Sequence, residues 1–259
     1  MTQETNPLLL VATNIDEVLD QLDYIIDQSV ADDNYLCTFA YVYRKTTFEV
    51  KKAIENDEFE NAVRMEKMDV VFANYYIQAY KDFFSQKDVS KSWQFAFNLR
   101  NSKLSLIQHI MLGMNAHINL DLAVSAAAVS DSKSILDLKN DFMVINDILA
   151  RLTNKMQKGL GRTSFLMKLL DFFGFRKDEK IINFSIRKAR DFAWLNAVEL
   201  ALMNKSQKMA RVAEIDKRVL GLSKIIKNPP GKLLDVLLRI IAAFEKKDKR
   251  KIVDSMRRD

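Results

Sequence analysis

The stretch that most restricts how this chain can fold is Leu104 to Val129, LSLIQHIMLGMNAHINLDLAVSAAAV, whose one formal charge is Asp121. It also carries both histidines of the protein, His109 and His117. At about 100° per residue, His109, Gly113, His117 and Asp121 fall four apart and trace one slowly drifting stripe. Ile110, Leu120 and Val124 share that side, so the polar groups stand among apolar neighbours. Leu112, Leu122 and Ala126 lie on the far side with Gln108, Asn115 and Asn119. A helix apolar nearly all round is buried in a protein core or spans a membrane. The length suits a span of about twenty residues, but the content does not. Six polar side chains crowd its middle, and each ionisable one costs at least ~2.5 kcal/mol at a bilayer centre. The segment reads as the central helix of a soluble bundle.

A carboxylate in such a place needs company. Desolvating an unpaired ion costs several kcal/mol, comparable with the net stability of a whole domain. Asp121 therefore demands a cation, a metal or a cluster of donors. His117 is one turn back, about 6 Å along the axis, and can share a partner with it. His109 is eight residues from His117, about 12 Å of rise, so the two imidazoles can hardly bind one ion.

Few breakers interrupt the chain: 6 Gly and 3 Pro in 259 residues, against 48% apolar residues. That argues for long helices and against a sandwich or barrel with many turns. The expected fold is all-α, a single multi-helix bundle of about 8–10 helices around the buried helix 104–129. There is no Gly-rich phosphate loop, nucleotide fingerprint or Gly-x-Ser-x-Gly elbow. Cys37 is alone, which excludes a disulfide framework and a Cys-rich zinc site. Residues 1–15 lack a basic leader and Leu8–Ala12 is too short for a signal-peptide core, so the expected location is cytoplasmic.

Helical spacing then places the elements in order. Thr13 or Asn14 caps a helix to about Val30, and Asp32–Asp33 breaks it. A second runs from about Tyr35 to Asn56 with Tyr35, Phe39, Tyr43 and Phe48, and a third from about Glu58 to Ser85. The third presents Met65, Met68, Phe72, Tyr76 and Tyr80, with Asp69 among them. Asp88–Trp93 reads as a turn with a short helix before the central segment. Ser130 or Ser132 caps a helix to about Gln157, with Asp141 at the edge of its apolar stripe. A short apolar stretch at 164–175 is followed by helices at about 178–206 and 209–227. Pro229 and Pro230 start the last helix, about 232–246. The subdivision expected is a helical core, 1–227, and a basic C-terminal helical appendage, 228–259.

Charge is uneven along the chain. Residues 1–100 hold 10 Lys+Arg against 17 Asp+Glu, and residues 101–259 hold 30 against 17. A basic half attracts anionic lipid, nucleic acid or an acidic partner, although most such charge is a solvated face. The piece GLGRTSFLMKLLDFFGFRK (159–177) joins basic residues to Phe165, Leu166, Leu169, Leu170, Phe172, Phe173 and Phe175. It could lie on an anionic membrane surface, close over an apolar ligand, or pack as an ordinary short helix. Nucleic acid is disfavoured, because the basic tail has no interleaved aromatic residue and no recognition module is visible.

Four pieces together resemble a bacterial family of unknown function, numbered 5995: RMEKMDVVFANYY (64–76), QHIMLGMNAHINLDLAV (108–124), NDFMVINDILA (140–150) and FSIRKARDFAW (184–194). The likeness spans roughly residues 10 to 205, and the histidine-bearing piece is its most specific part. The resemblance brings no activity with it. It implies motif positions at Arg64, Asp69, Asn74, His109, Asn115, His117, Asn119, Asp121, Asp141, Asn146, Arg187, Arg190 and Trp194. Tyr75 stands where the pattern would have a basic residue.

Three chemistries suit these residues. In the first, His109, His117, Asp121, Asp69, Asp141 and Arg190 line a polar pocket. His117, Asp121, Asp69 and Asp141 then hold a divalent metal (Zn, Fe or Mn) that activates water or oxygen. The Glu-x-x-His pairs of di-iron bundles and the His-Glu-x-x-His motif are absent. In the second, His117, oriented by Asp121, is a general base, and Arg64 or Arg190 holds an anionic group of a small-molecule substrate, with His109 a further catalytic candidate. In the third, the polar core is structural: Asp121 and Asp69 pair with Arg64, Arg187 or Arg190, and the histidines bond to backbone. The function expected is an enzyme or binding protein for a small, partly apolar molecule; the alternative is a helical scaffold or membrane-surface protein.

Overall fold

A computed structural model of the chain describes residues 11–159, 179–245 and 248–257. The apolar stretch expected at 164–175 lies outside the described residues, and so does most of the piece 159–177. Among the described residues every regular element is helical, and the all-α class holds.

α1 (Ile15–Ala31) starts where the Asn14 side chain accepts from the Glu17 N–H, with Asp16 and Glu17 favourably placed in its first turn. α2 (Leu36–Glu55) returns along it. Arg44 pairs with Asp23 and Lys51 with Asp16, so rising numbers on one helix meet falling numbers on the other. α3 (Ala62–Phe84) is capped by Asn61 and begins later than its spacing suggests. The reason is tertiary: the Glu60 and Asn61 N–H groups donate to Asp141 at 2.6 and 3.2 Å instead of entering a helix. Asp33, Asp57 and Gln86 close successive turns at φ of 51–58°, positions that more often take glycine. α4 (Lys91–Asn98) has its first N–H groups capped by Asp216, at 2.7 and 2.9 Å.

The segment foreseen as one helix is a rod in three parts: α5 (Leu106–Ala116), a π-helical turn (His117–Asp121) and α6 (Leu122–Ala128). Ser105 and Gln108 form a capping box at its start. The Leu122 N–H reaches back to the His117 carbonyl, the wide hydrogen bond of a π turn. Leu112 and Ala116 belong to one apolar cluster, packed mainly by α1 to α4. Leu120, Leu122, Ala123, Ala126 and Ala127 belong to the other, packed mainly by the later helices. The rod thus joins the two halves of the core. Met111 and Ala128 are its exposed residues.

A short 3₁₀ turn (Ile135–Leu138) leads into α7 (Lys139–Gly159). The helix expected from Ser130 starts late because the Asp131 carboxylate closes a turn on the Lys133 and Ser134 N–H groups. α8 (Glu179–Leu202) packs along α6, and α9 (Lys205–Lys227) packs along α4 and α5. Gln108 donates to the Ile226 and Lys227 carbonyls that end α9.

α10 (Lys232–Phe244) is followed by a helix with no sequence forecast, α11 (Lys249–Arg257). Tail residues with the composition of a solvated end are therefore folded. Ile252 and Val253 are buried, the Tyr41 hydroxyl donates to the Met256 carbonyl at 3.0 Å, and Lys249 pairs with Asp33 at 3.1 Å.

Candidate functional site

The site is assembled from aromatic residues spaced by four. α2 contributes Phe39 and Tyr43, α3 contributes Phe72 and Tyr76, and α4 contributes Trp93. Their rings enclose the His117 imidazole at the π turn. Phe72 stacks on it at 3.6 Å between centroids, and Tyr43 meets it edge-on at 4.3 Å. Phe39, Tyr76 and Trp93 stand about 6 Å away. Gly113, one turn before His117, makes room for this wall, since a Cβ there would collide with the Phe39 ring.

Inside the box, His117 Nδ1 lies 3.0 Å from Asp121 Oδ2, and the same oxygen accepts from Trp93 Nε1–H at 2.9 Å. Both residues are buried. With Asp121 ionised its oxygens only accept, which places the imidazole proton on Nδ1 and leaves Nε2 with a bare lone pair. Burial drives His117 below the usual imidazole value against the opposing pull of Asp121. Burial likewise drives Asp121 upward against its bonds to His117 and Trp93. The Ser125 hydroxyl donates to the Asp121 carbonyl at 2.6 Å, steadying the backbone just past the wide turn.

His117 Nε2 has no hydrogen-bond partner among the described residues, and it is one of several buried atoms in that condition. The Tyr43 and Tyr76 hydroxyls, Thr47 Oγ1 and Asp69 Oδ2 are also buried and unsatisfied. Thr47 stands one turn beyond Tyr43, beside its hydroxyl but without a well-aligned bond. Burial pushes the Asp69 carboxyl up to about 7. The Tyr43 hydroxyl is driven well up by burial first, then by the nearby charges of Asp69 and Asp121. Orphaned polar atoms are rare in native cores, because each carries a desolvation cost of about 1–3 kcal/mol. Of these, Tyr43 touches the His117 ring directly, so two buried polar groups without a partner share one neighbourhood.

The remaining sequence candidates stand elsewhere. His109 stacks on Tyr35 at 4.4 Å, and its Nε2 lies 3.3 Å from the Ser102 carbonyl. Burial lowers it to about 4. Asp141 is fully buried and holds Arg64 at 2.9 Å besides its two backbone N–H groups, so it clamps α7 to the start of α3. Arg64 also donates to the Asp137 carbonyl and lines an open polar cleft of about 510 Å³ with Glu60, Asn61, Leu136, Asp137 and Asn140. Arg190 donates to Asn146 Oδ1 at 2.7 Å and to the Phe142 carbonyl at 2.5 Å, over the Phe142 ring. Burial lowers its guanidinium to about 9.

Two expectations therefore change. The pocket walled by His109, His117, Asp121, Asp69, Asp141 and Arg190 does not exist as one place. His117 and Asp121 stand in the box, Asp69 acts on Tyr43 electrostatically, and the other three are tied up separately. Nor does the set His117, Asp121, Asp69 and Asp141 meet: among the described residues, no three His, Cys, Asp or Glu side chains gather as metal ligands would. Asp121 pairs with an imidazole and an indole rather than with an arginine. Sequence reasoning missed Trp93, Tyr43, Thr47 and Tyr76 as parts of the site. The paired aromatic spacings on α2 and α3 were the available signal, but ordinary core packing produces the same spacing.

Beside the box lies a small cavity of about 10 Å³, lined by Tyr35, Phe39, Tyr76, Trp93, His109, Gly113 and neighbours. It has room for one water-sized guest. Three of its walls, Phe39, Tyr76 and Trp93, are also walls of the His117 box.

Fold and site together define an all-helical protein with a desolvated histidine–aspartate pair at a π turn. The family of unknown function DUF5995 has a model that matches residues 15–229, and this chain belongs to that family. Neither the curated proteins nor the solved structures yielded a match. Among the described residues, no helix is long and apolar enough to cross a membrane.

Proposed function

We propose that the His117–Asp121 pair is the reactive centre of a small-molecule site, with His117 Nε2 as the acceptor for a proton or a hydrogen-bond donor of the ligand. The observation that carries this is the division of the ring: Nδ1 is fixed by Asp121, whereas Nε2 is buried and bare. An imidazole so oriented, in a dry site, is the arrangement of a general base. A ligand hydroxyl would give its proton to Nε2, and the carboxylate of Asp121 would stabilise the imidazolium that results. No positive side chain is among the described groups around His117, so the ligand is neutral or cationic rather than anionic. The aromatic walls ask for a partly apolar molecule, and the Tyr43, Thr47 and Asp69 oxygens for a second polar edge. Arg64 and Arg190 fall outside this reading. The location that fits a lone, buried Cys37 is the reducing cytoplasm.

Histidine side-chain ¹H–¹⁵N correlation with phenol and cyclohexanol as probes tests the site. The expected result is a shift of the His117 Nε2 signal with the His109 signals unmoved, and no binding to His117→Asn. Movement of neither histidine up to the solubility of both probes contradicts the proposal.

A second reading has its own observation in favour. The box is closed, with one water-sized cavity beside it, as suits a structural polar core in a non-catalytic scaffold. The double variant His117→Leu/Asp121→Leu separates the two. A scaffold keeps or gains stability when a buried pair is replaced by apolar groups of similar size, and it keeps any probe binding. Loss of probe binding with stability retained assigns the pair to ligand chemistry.

A further inference from the structure

α10 stands at the edge of the molecule, past the end of the family match at residue 229. Three apolar residues spaced by four, Val236, Ile240 and Phe244, are 52, 47 and 88% exposed. They form one outward stripe of about 12 Å. Leu238, on another face, is buried. The helix is secured at its C-terminal end. Glu245 accepts from the Leu106 N–H at 2.8 Å, and α11 is fixed by Lys249–Asp33 and by the bond from Tyr41 to Met256. The stripe is thus held away from the body.

Its surroundings are basic. Residues 224–259 contain 11 Lys+Arg and 5 Asp+Glu. Arg239, paired with Asp235, and Lys251, paired with Asp248, keep side chains 74 and 71% exposed, and Arg250 is exposed as well. An apolar stripe on one short helix, with further cations on the helix that follows it, is the pattern of a segment lying in a lipid interface. A second copy of this chain is a poor occupant, because two basic segments would be brought face to face. Nucleic acid would leave the aliphatic part of the stripe without a partner.

We propose that α10 docks on an anionic lipid surface. Val236, Ile240 and Phe244 enter the boundary between headgroups and acyl chains, and the neighbouring Lys and Arg side chains pair with lipid phosphates. This is a separate surface from the basic-apolar piece 159–177, and it does not depend on the chemistry of His117.

Sedimentation of the full chain with vesicles tests it, using phosphatidylcholine alone and phosphatidylcholine mixed with phosphatidylserine. Binding is expected on the mixed vesicles only, weakening as salt rises. Ile240→Ser/Phe244→Ser is expected to lower it at least about tenfold while circular dichroism and unfolding midpoint stay unchanged. Phe172→Ser/Phe173→Ser is expected to retain binding. Equal binding to both vesicle types overturns the proposal. So does full binding by the Ile240/Phe244 variant, loss of binding only in the Phe172/Phe173 variant, or a concentration-dependent dimer that the Ile240/Phe244 change abolishes.

Discussion

At the scale of single residues, the organising fact is that Asp121 has two donors on one oxygen. Trp93 supplies the indole N–H across a fold contact, and His117 supplies its ring nitrogen from the preceding turn. Trp93→Phe removes the donor and leaves a small void where part of the indole stood. A hydrogen bond to a charged acceptor is worth about 1.5–3 kcal/mol, and a urea unfolding midpoint should report a loss of at least that size. The His117–Asp121 contact was legible in the sequence, because four residues of spacing put the two side chains on one face. Trp93 was not, because nothing local connects residues 28 apart in the chain. Asp141 shows the same limit. It read as a metal ligand, whereas its partners are Arg64 and two backbone N–H groups from a distant loop.

Helices were the more legible level. Asn14 caps α1 and Pro229–Pro230 precede α10, much as the residue types alone indicate. Boundaries set by long-range bonds were less so: α3 starts after the loop held by Asp141, and the short, charged α11 buries only two apolar residues, Ile252 and Val253, beside Lys249. The π turn was unreadable, since it inserts a residue without changing the apolar pattern. Two substitutions probe this level. Gly113→Ala forces the α5 backbone against Phe39, and the overpacking should cost about 1–3 kcal/mol, read by thermal unfolding. Asp141→Ala strips the clamp between α7 and the loop before α3 and leaves Arg64 without its carboxylate. Breaking such a buried pair costs about 3–5 kcal/mol, with the metal content of the purified protein unchanged.

For the whole molecule, the two-part core predicts an unusual response to pH. His109 is lowered from 6.5 to about 4, so the unfolded chain binds the extra proton across that window and stability rises with pH through it. Asp69 is raised from 3.8 to about 7, so the folded chain binds the extra proton and stability falls with rising pH through nearly the same window. The two contributions oppose each other. Asp69→Asn removes the second, and its stability relative to the wild type should climb between pH 4 and 7 by an amount of order 4 kcal/mol. Urea titrations of both proteins at several pH values check this, and parallel profiles would show that Asp69 is ionised and partnered in solution. The most direct measurement concerns the atom on which everything else turns. Histidine side-chain ¹H–¹⁵N correlation across pH 5 to 8 reads tautomer and charge together. The expected result is a neutral His117 protonated on Nδ1, with Nε2 carrying no proton throughout. An Nε2–H tautomer, or an ordinary imidazole titration near the 6.5 of an exposed histidine, would contradict the structure of the site.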